Sequence, residues 1–247
     1  YYFFVFGGFV ALALWLPRYY VGVYGLPITT AGMLGAAYSI PGSIFRAFGG
    51  VLSDKFGARR IMYWTFTASV ICTFILSYPA TDYVVHGIKG DINFSFAIGF
   101  VPFMVVTSIL GFFMSLGKAA VYKHIPVYYP DRVGSVGGVV GMVGGLGGFL
   151  LPIGFGVMND LTCVWPSCFM LLFLLVSIAL LWMHFAIRRM EAAAPEAAKI
   201  PFLPELAAPE VLTEWYPEDK DFWAAKGRRV AYRNLYISIP ALLLAFA

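Results

Sequence analysis

Six long apolar stretches dominate the chain and are separated by short polar or charged segments. They run over residues 2–24, 30–52, 61–79, 94–117, 133–158 and 165–187. Each is long enough to cross a hydrocarbon core of about 30 Å at about 1.5 Å per helical residue. The stretches are continuous rather than alternating, which favours helices over the strands of a membrane barrel. The pattern therefore predicts six transmembrane helices.

Composition supports a lipid environment. Of the 247 residues, 60% are hydrophobic and 12% are charged, and the mean hydropathy is +0.80. A soluble domain carries about 25% charged residues, so the chain is neither disordered nor a coiled coil. The net charge of +4 is spread over the ends of the apolar stretches and does not indicate nucleic-acid binding. We therefore expect an all-α membrane protein embedded in the lipid bilayer.

The distribution of cations predicts the orientation of the helices. Eight cations fall on one side of the predicted membrane and two on the other, which places the first group in the cytoplasm by the positive-inside rule. Segments 53–60, 118–132 and the residues after 187 are then cytoplasmic. Lys118 and His124 are expected to be solvated at the end of the fourth span. The first group is Lys55, Arg59, Arg60, Lys118, Lys123, Arg132, Arg188 and Arg189, and the second is Arg18 and Lys89.

The composition changes after Met190 and predicts three segments. Residues 1–190 hold the six spans. Residues 191–221 are rich in Ala, Pro and Glu, as in a solvated linker. Residues 222–247 begin with a basic amphipathic stretch and continue into a new apolar run near Leu235. This last segment is predicted to start a further membrane helix from the cytoplasmic side.

A charged turn between the second and third spans carries the first motif. A glycine before the turn allows close helix approach, and one within it supplies the positive φ of a sharp turn. Asp54 can cap a helix and pair with Arg59 or Arg60. The spacing resembles the loop motif of the major facilitator superfamily, in which this turn latches two six-helix halves in one state. The motif residues are Gly50, Asp54, Lys55, Gly57, Arg59 and Arg60.

Glycines are concentrated in the fifth span, which holds ten of the chain's 26. Because a glycine inside a helix costs about 1 kcal/mol, this density needs a reason. One interpretation is close helix packing through small residues four apart, and the other is a bare helix face beside a very small substrate; the two are compatible. Packing is predicted for Gly137, Gly138, Gly147 and Gly148, and substrate contact for Gly141, Gly144 and Gly145.

Arg46 is a cation predicted deep in the second span. It lies eight residues before Asp54, or about 12 Å along a helix, and a charge at mid-depth costs about 2.5–3.5 kcal/mol on insertion scales. An arginine keeps its proton, and the other spans contain no acidic residue to pair with it. Arg46 is therefore predicted to bind an anion, and its planar guanidinium suits a planar oxyanion such as nitrate or nitrite.

The segment 141–152 resembles the nitrate signature of the nitrate/nitrite porter family within that superfamily. The resemblance implies that residues 1–190 form helices seven to twelve of a twelve-helix transporter, whose N-terminal six-helix half is missing here. It also implies that Arg46 holds the substrate and that Tyr2 and Phe6, which share a helix face, line the site. The tail resembles the start of another porter, as in a tandem fusion.

The expected function is alternating-access transport of nitrate or nitrite in the bacterial inner membrane, as nitrate/nitrite antiport or proton-coupled nitrate uptake. The spans offer no carboxylate or mid-depth histidine to carry a proton, which favours exchange. No cofactor or metal is expected. The alternatives are a facilitator of another small anion or organic solute, a membrane-embedded enzyme and a structural subunit. The enzyme is disfavoured because the histidines lie near span ends, and the subunit because it leaves the charge of Arg46 unexplained.

Overall fold

The computed structural model describes residues 1–88, 90–197 and 222–228, and most of them lie in long helices. The first helix opens with a π-helical segment, Phe3–Gly8, that continues directly into α1, Phe9–Tyr24. Residues 223–227 form a short π-helical turn. The remaining helices are α2 (Ile28–Phe56), α3 (Ala58–Leu76), α4 (Phe100–Tyr128), α5 (Val133–Thr162) and α6 (Ser167–Ala197).

Four of these helices are long and apolar enough to cross a membrane. They cover Phe3–Tyr24, Phe100–Tyr128, Pro130–Thr162 and Ser167–Ala192. Helices α2 and α3 have 29 and 19 residues and are long enough, but they do not meet the same standard of apolar composition. The predicted all-α membrane class is therefore confirmed, whereas the count of six spans stays a prediction.

A β-hairpin replaces the predicted start of the fourth span. Strand β1, Thr81–Gly87, pairs antiparallel with β2, Gly90–Phe96. The prediction that the fourth helix begins at residue 94 was wrong, because α4 begins at Phe100. Aromatic residues alternate with polar ones in β2, which is the period of a strand. Cross-strand stacking of Tyr83 on Phe94, with ring centroids 5.1 Å apart, holds the pair.

The turns predicted to be cytoplasmic are shorter than the sequence indicated. The predicted loop 53–60 is helical except at Gly57, whose φ of +84° breaks α2 from α3. The predicted loop 118–132 is wrong over most of its length, since α4 continues to Tyr128. Residues 191–197 of the predicted linker continue α6. The rest of the linker 191–221, and residues 229–247 of the predicted further membrane helix, lie outside the described residues.

Helix α4 packs against both α2 and α3, and small residues bring α2 and α4 close together. A Cβ built on Gly49 would lie 2.8 Å from the Cα of Leu116, and one on Gly42 would lie 3.2 Å from Oγ of Ser115. Backbones can approach this closely only where side chains are absent. The packing places the middle of α2 directly beside residues 115–119 of α4.

Candidate anion-binding site

Arg46 lies within α2 and is half-buried. It stands ten residues before the end of α2 at Phe56, which is about 15 Å along the helix and half of a hydrocarbon core of about 30 Å. Its guanidinium carbon is 5.9 Å from the ring centroid of Tyr122 on α4. No acidic side chain among the described residues pairs with it. The charge is thus supported by an aromatic ring rather than by a carboxylate.

The start of the first helix supplies two further aromatic rings. Tyr2 and Phe6 are stacked, with centroids 5.2 Å apart and ring planes 5° apart. The ring of Tyr2 also meets that of Tyr122 edge to face at 5.0 Å. Tyr2 is buried and Phe6 is half-buried. The first helix, α2 and α4 therefore converge on one cluster of aromatic rings beside Arg46.

Helix α5 presents bare backbone to this aromatic cluster. A Cβ on Gly144 would lie 2.7 Å from Cε1 of Tyr2 and 3.0 Å from Cδ1 of Phe6, and one on Gly141 would lie 3.2 Å from the hydroxyl of Tyr122. A contact under 3.0 Å is too short for a real side chain. Gly144 is therefore needed for the rings to approach α5.

The other glycines of α5 divide into two groups. Gly147 packs tightly, since a Cβ there would lie 2.7 Å from the carbonyl oxygen of Phe3, and Gly148 would meet Val10 at 3.3 Å. Gly137 makes only a loose contact with Tyr122, at 3.8 Å. Among the described residues, no atom lies within 4 Å of a Cβ on Gly138 or Gly145. The close contact predicted for Gly138 is therefore not formed here, and Gly145 does not join the cluster.

The close approach predicted at Gly50 is also absent. Nothing in the described part of the chain lies within 4 Å of a Cβ on Gly50. The preceding residue, Gly49, makes the close contact with α4 instead. A shift of one residue turns a helix by about 100°, so the two glycines face different neighbours.

The prediction that the side chain of Lys118 is solvated was wrong. It lies inside α4 and is only 5% exposed. Its ammonium nitrogen is 3.1 Å from the ring centroid of Phe9. Lys118 and Tyr122 are not predicted as site residues by the sequence pattern. The available signal was their i,i+4 spacing, which puts both on one face if the helix continues past residue 117.

The charged turn makes its ion pairs with other helices. Asp54 pairs with Lys123 of α4, and Arg59 pairs with Glu191 of α6 at 3.0 Å. The predicted pairing of Asp54 with Arg59 or Arg60 was wrong, as was its capping role, since α3 has no side-chain cap. Lys55 stands 5.6 Å from the ring of Phe56 and is exposed, as is Arg60. The turn between α2 and α3 is therefore tied to α4 and α6, and two of its cations face outward.

Comparison with known proteins agrees with a membrane transporter. The whole chain, residues 1–247, matches the profile of the Major Facilitator Superfamily. The chain belongs to this superfamily, which places it among transporters rather than enzymes. No solved structure matches the chain.

The resemblance to the nitrate/nitrite porter family, first seen in the motifs, is confirmed by similar proteins. The "Probable nitrate/nitrite antiporter NarK1" of Thermus thermophilus is 46% identical over 191 residues, covering 77% of this chain and 43% of that protein. The "Nitrite extrusion protein" of Bacillus subtilis is 29% identical, over 62% and 34%. The "Probable nitrate transporter NarT" of Staphylococcus haemolyticus is 30% identical, over 65% and 37%. The matched part of the chain thus spans about two fifths of these relatives or less.

Proposed function

We propose that residues 1–190 form the C-terminal six-helix half of a nitrate/nitrite transporter. The names of the similar proteins support nitrate or nitrite as the substrate. This chain covers about two fifths of their length or less, which supports a half-transporter. In this proposal α2 and α3 also span the membrane, shielded from lipid by the N-terminal half. Residues 222–247 begin a further membrane segment.

The observation that carries this proposal is the uncompensated charge of Arg46 beside aromatic rings and bare backbone. A planar anion can accept two parallel hydrogen bonds from a guanidinium, which is the geometry of the strongest charge-assisted pairs. The hydroxyl of Tyr2 donates a further hydrogen bond, and Phe6 forms one wall. The backbone of α5 at Gly141 and Gly144 leaves space for an anion of only a few atoms.

The mechanism that follows is alternating access. The two halves of such transporters rock around a site near the bilayer midplane. The glycine face of α5 permits sliding against the first helix, because no side chains interlock there. The ion pair of Asp54 with Lys123 fixes the charged turn within this half, and the exposed cations Lys55 and Arg60 are free to latch onto the N-terminal half.

A thermal-shift experiment separates nitrate and nitrite from other solutes. Nitrate and nitrite are expected to raise the melting temperature of the purified complete transporter, because a ligand that binds only the folded state stabilises it. At a ligand concentration 100 times the dissociation constant, the free energy of unfolding rises by about 2.7 kcal/mol. Formate, chloride and small organic solutes should shift it little. A larger shift with one of these would favour the alternative, a facilitator of another small anion or an organic solute.

Cysteine labelling tests the proposed orientation in the bacterial inner membrane. Cys163 is exposed at the end of α5, and Cys72 and Cys168 are buried. If the turns at Gly57 and Asp131 are cytoplasmic, an impermeant maleimide added outside the membrane should label Cys163. A Cys163→Ser, Asp131→Cys variant should react only after the membrane is opened. Labelling of the second variant in sealed spheroplasts would contradict the orientation.

A further inference from the structure

Lys118 is a second buried cation that the anion site does not yet explain. It lies ten residues before the end of α4 at Tyr128, so its distance from the helix end equals that of Arg46 in α2. Lys118 and Tyr122 share a face of α4, and the guanidinium of Arg46 stands over Tyr122. Two cations therefore share one level of the fold.

The groups around Lys118 include no acid among the described residues. The first helix contributes the ring of Phe9, 3.1 Å from the ammonium nitrogen, and Tyr38 of α2 stacks against Phe9. Arg46 of α2 and Tyr2 of the first helix reach this level through Tyr122. Tyr122 is the titratable neighbour on α4 itself.

The two remaining neighbouring helices add no charge at this level. Helix α3 meets α4 through Thr65, whose side chain would lie 2.7 Å from a Cβ on Gly117. Helix α5 presents Gly141 and Gly144. A lysine charge in this setting lacks a counter-ion unless an anion enters the site.

We propose that Lys118 carries a proton together with the anion. The proposal rests on the anion site put forward above. In the empty site two unpaired charges are costly to keep from water. Arginine keeps its proton in proteins, whereas a buried lysine can give its proton up. Lys118 is therefore a neutral amine in the empty site and an ammonium when the anion is bound.

The proton balance gives a transport mode. On the side where the site is open, the amine of Lys118 takes a proton from water as the anion binds. When the site opens to the other side, the anion leaves and the ammonium returns the proton to water. Net nitrate movement is thus accompanied by a proton. Exchange of nitrate for nitrite carries a proton in each direction and moves no net proton.

Proteoliposomes containing the complete transporter and an internal pH dye test this assignment. An inward nitrate gradient should acidify the interior with the wild-type protein. Lys118→Arg keeps the positive charge but cannot release its proton. It is expected to lose the nitrate-driven acidification while some nitrate-for-nitrite exchange remains, so that the ratio of acidification to exchange falls far below the wild-type ratio. Arg18→Lys, which alters an exposed cation 5.0 Å from the ring of Trp15, is the control and should acidify normally.

Three results would overturn the assignment of Lys118. One is normal acidification by Lys118→Arg. Another is loss of both exchange and acidification in that variant, because such a lysine only contacts the anion or stabilises the fold. Wild-type protein also gives a test that needs no variant: nitrate added to detergent-solubilised transporter in weak buffer should cause proton uptake. Nitrate binding without proton uptake would exclude Lys118 as a proton carrier. Absence of both binding and exchange in wild type would instead refute the proposed function, and Lys118 with it.

Discussion

Arg46→Lys is expected to abolish nitrate transport while leaving the protein inserted in the membrane. Lysine keeps the charge but offers a point charge in place of a planar fork. Losing one charge-assisted hydrogen bond costs about 1.5–3 kcal/mol, and each 1.4 kcal/mol is a factor of ten. A loss of at least about 100-fold is therefore expected when both hydrogen bonds and their geometry are disturbed. Uptake of labelled nitrate into membrane vesicles measures the effect.

The matched control makes the same substitution outside the site. Arg18 also stands near an aromatic ring, 5.0 Å from the ring centroid of Trp15, but it is exposed. Arg18→Lys should transport nitrate at close to the wild-type rate. Equal transport by Arg46→Lys and wild type, at equal protein levels in the membrane, would remove Arg46 from the anion site.

Gly144→Leu is expected to block transport by filling the space between α5 and the first helix. A Cβ there already lies within 3.0 Å of the rings of Tyr2 and Phe6, and a leucine adds three more carbons. Because leucine favours the helix by roughly 0.8 kcal/mol over glycine, the loss reflects the collision rather than a weakened helix. Gly144→Ala should give an intermediate rate, since only the rings need to move. Nitrate–nitrite exchange in proteoliposomes gives the rates.

Gly156→Leu is the control on the same helix. No atom of the described residues lies within 4 Å of a Cβ on Gly156, so a side chain there meets open space in this half. Exchange by Gly156→Leu should stay near wild type. An active Gly144→Leu would show that the contact of α5 with Tyr2 is dispensable for transport.

The site residues that are costly in a membrane helix, Arg46 and Gly144, were the easiest to identify from the sequence. An arginine inside an apolar stretch has few roles, so Arg46 could be singled out without a structure. Gly144 was visible because a glycine-rich helix is otherwise unstable. The structure places Gly144 against Tyr2 and Phe6, and Arg46 over Tyr122, whose ring meets Tyr2. Their assignment to substrate stays a prediction.

Lys118 and Tyr122 were missed for a physical reason. The first cation after an apolar stretch is usually at the membrane surface, so the sequence predicts that the fourth span ends at residue 117. Only the packing of α2 and α4 shows that the helix continues and that Lys118 is buried. Phe9 and Arg46, which bring the ring and the second charge to this level, are more than 60 residues away in sequence and beyond the reach of local patterns.

The ends of the elements show the same limit. The sequence predicts that aromatic residues 94 and 96 belong to a span, because a short alternating stretch beside a long apolar run is ambiguous. The choice of Lys123 as the partner of Asp54 depends on how α2 and α4 cross. The sequence indicated which residues were charged at the turn but could not pair them.

Anion counterflow tests the central claim most directly. The complete transporter is reconstituted into proteoliposomes loaded with nitrite, and uptake of labelled nitrate is followed against liposomes without protein. The account predicts rapid entry of labelled nitrate, driven by exchange for internal nitrite or by an excess of external nitrate. This entry is lost with Arg46→Lys. Nitrate entry no faster than into protein-free liposomes, from correctly inserted wild-type protein, would contradict it.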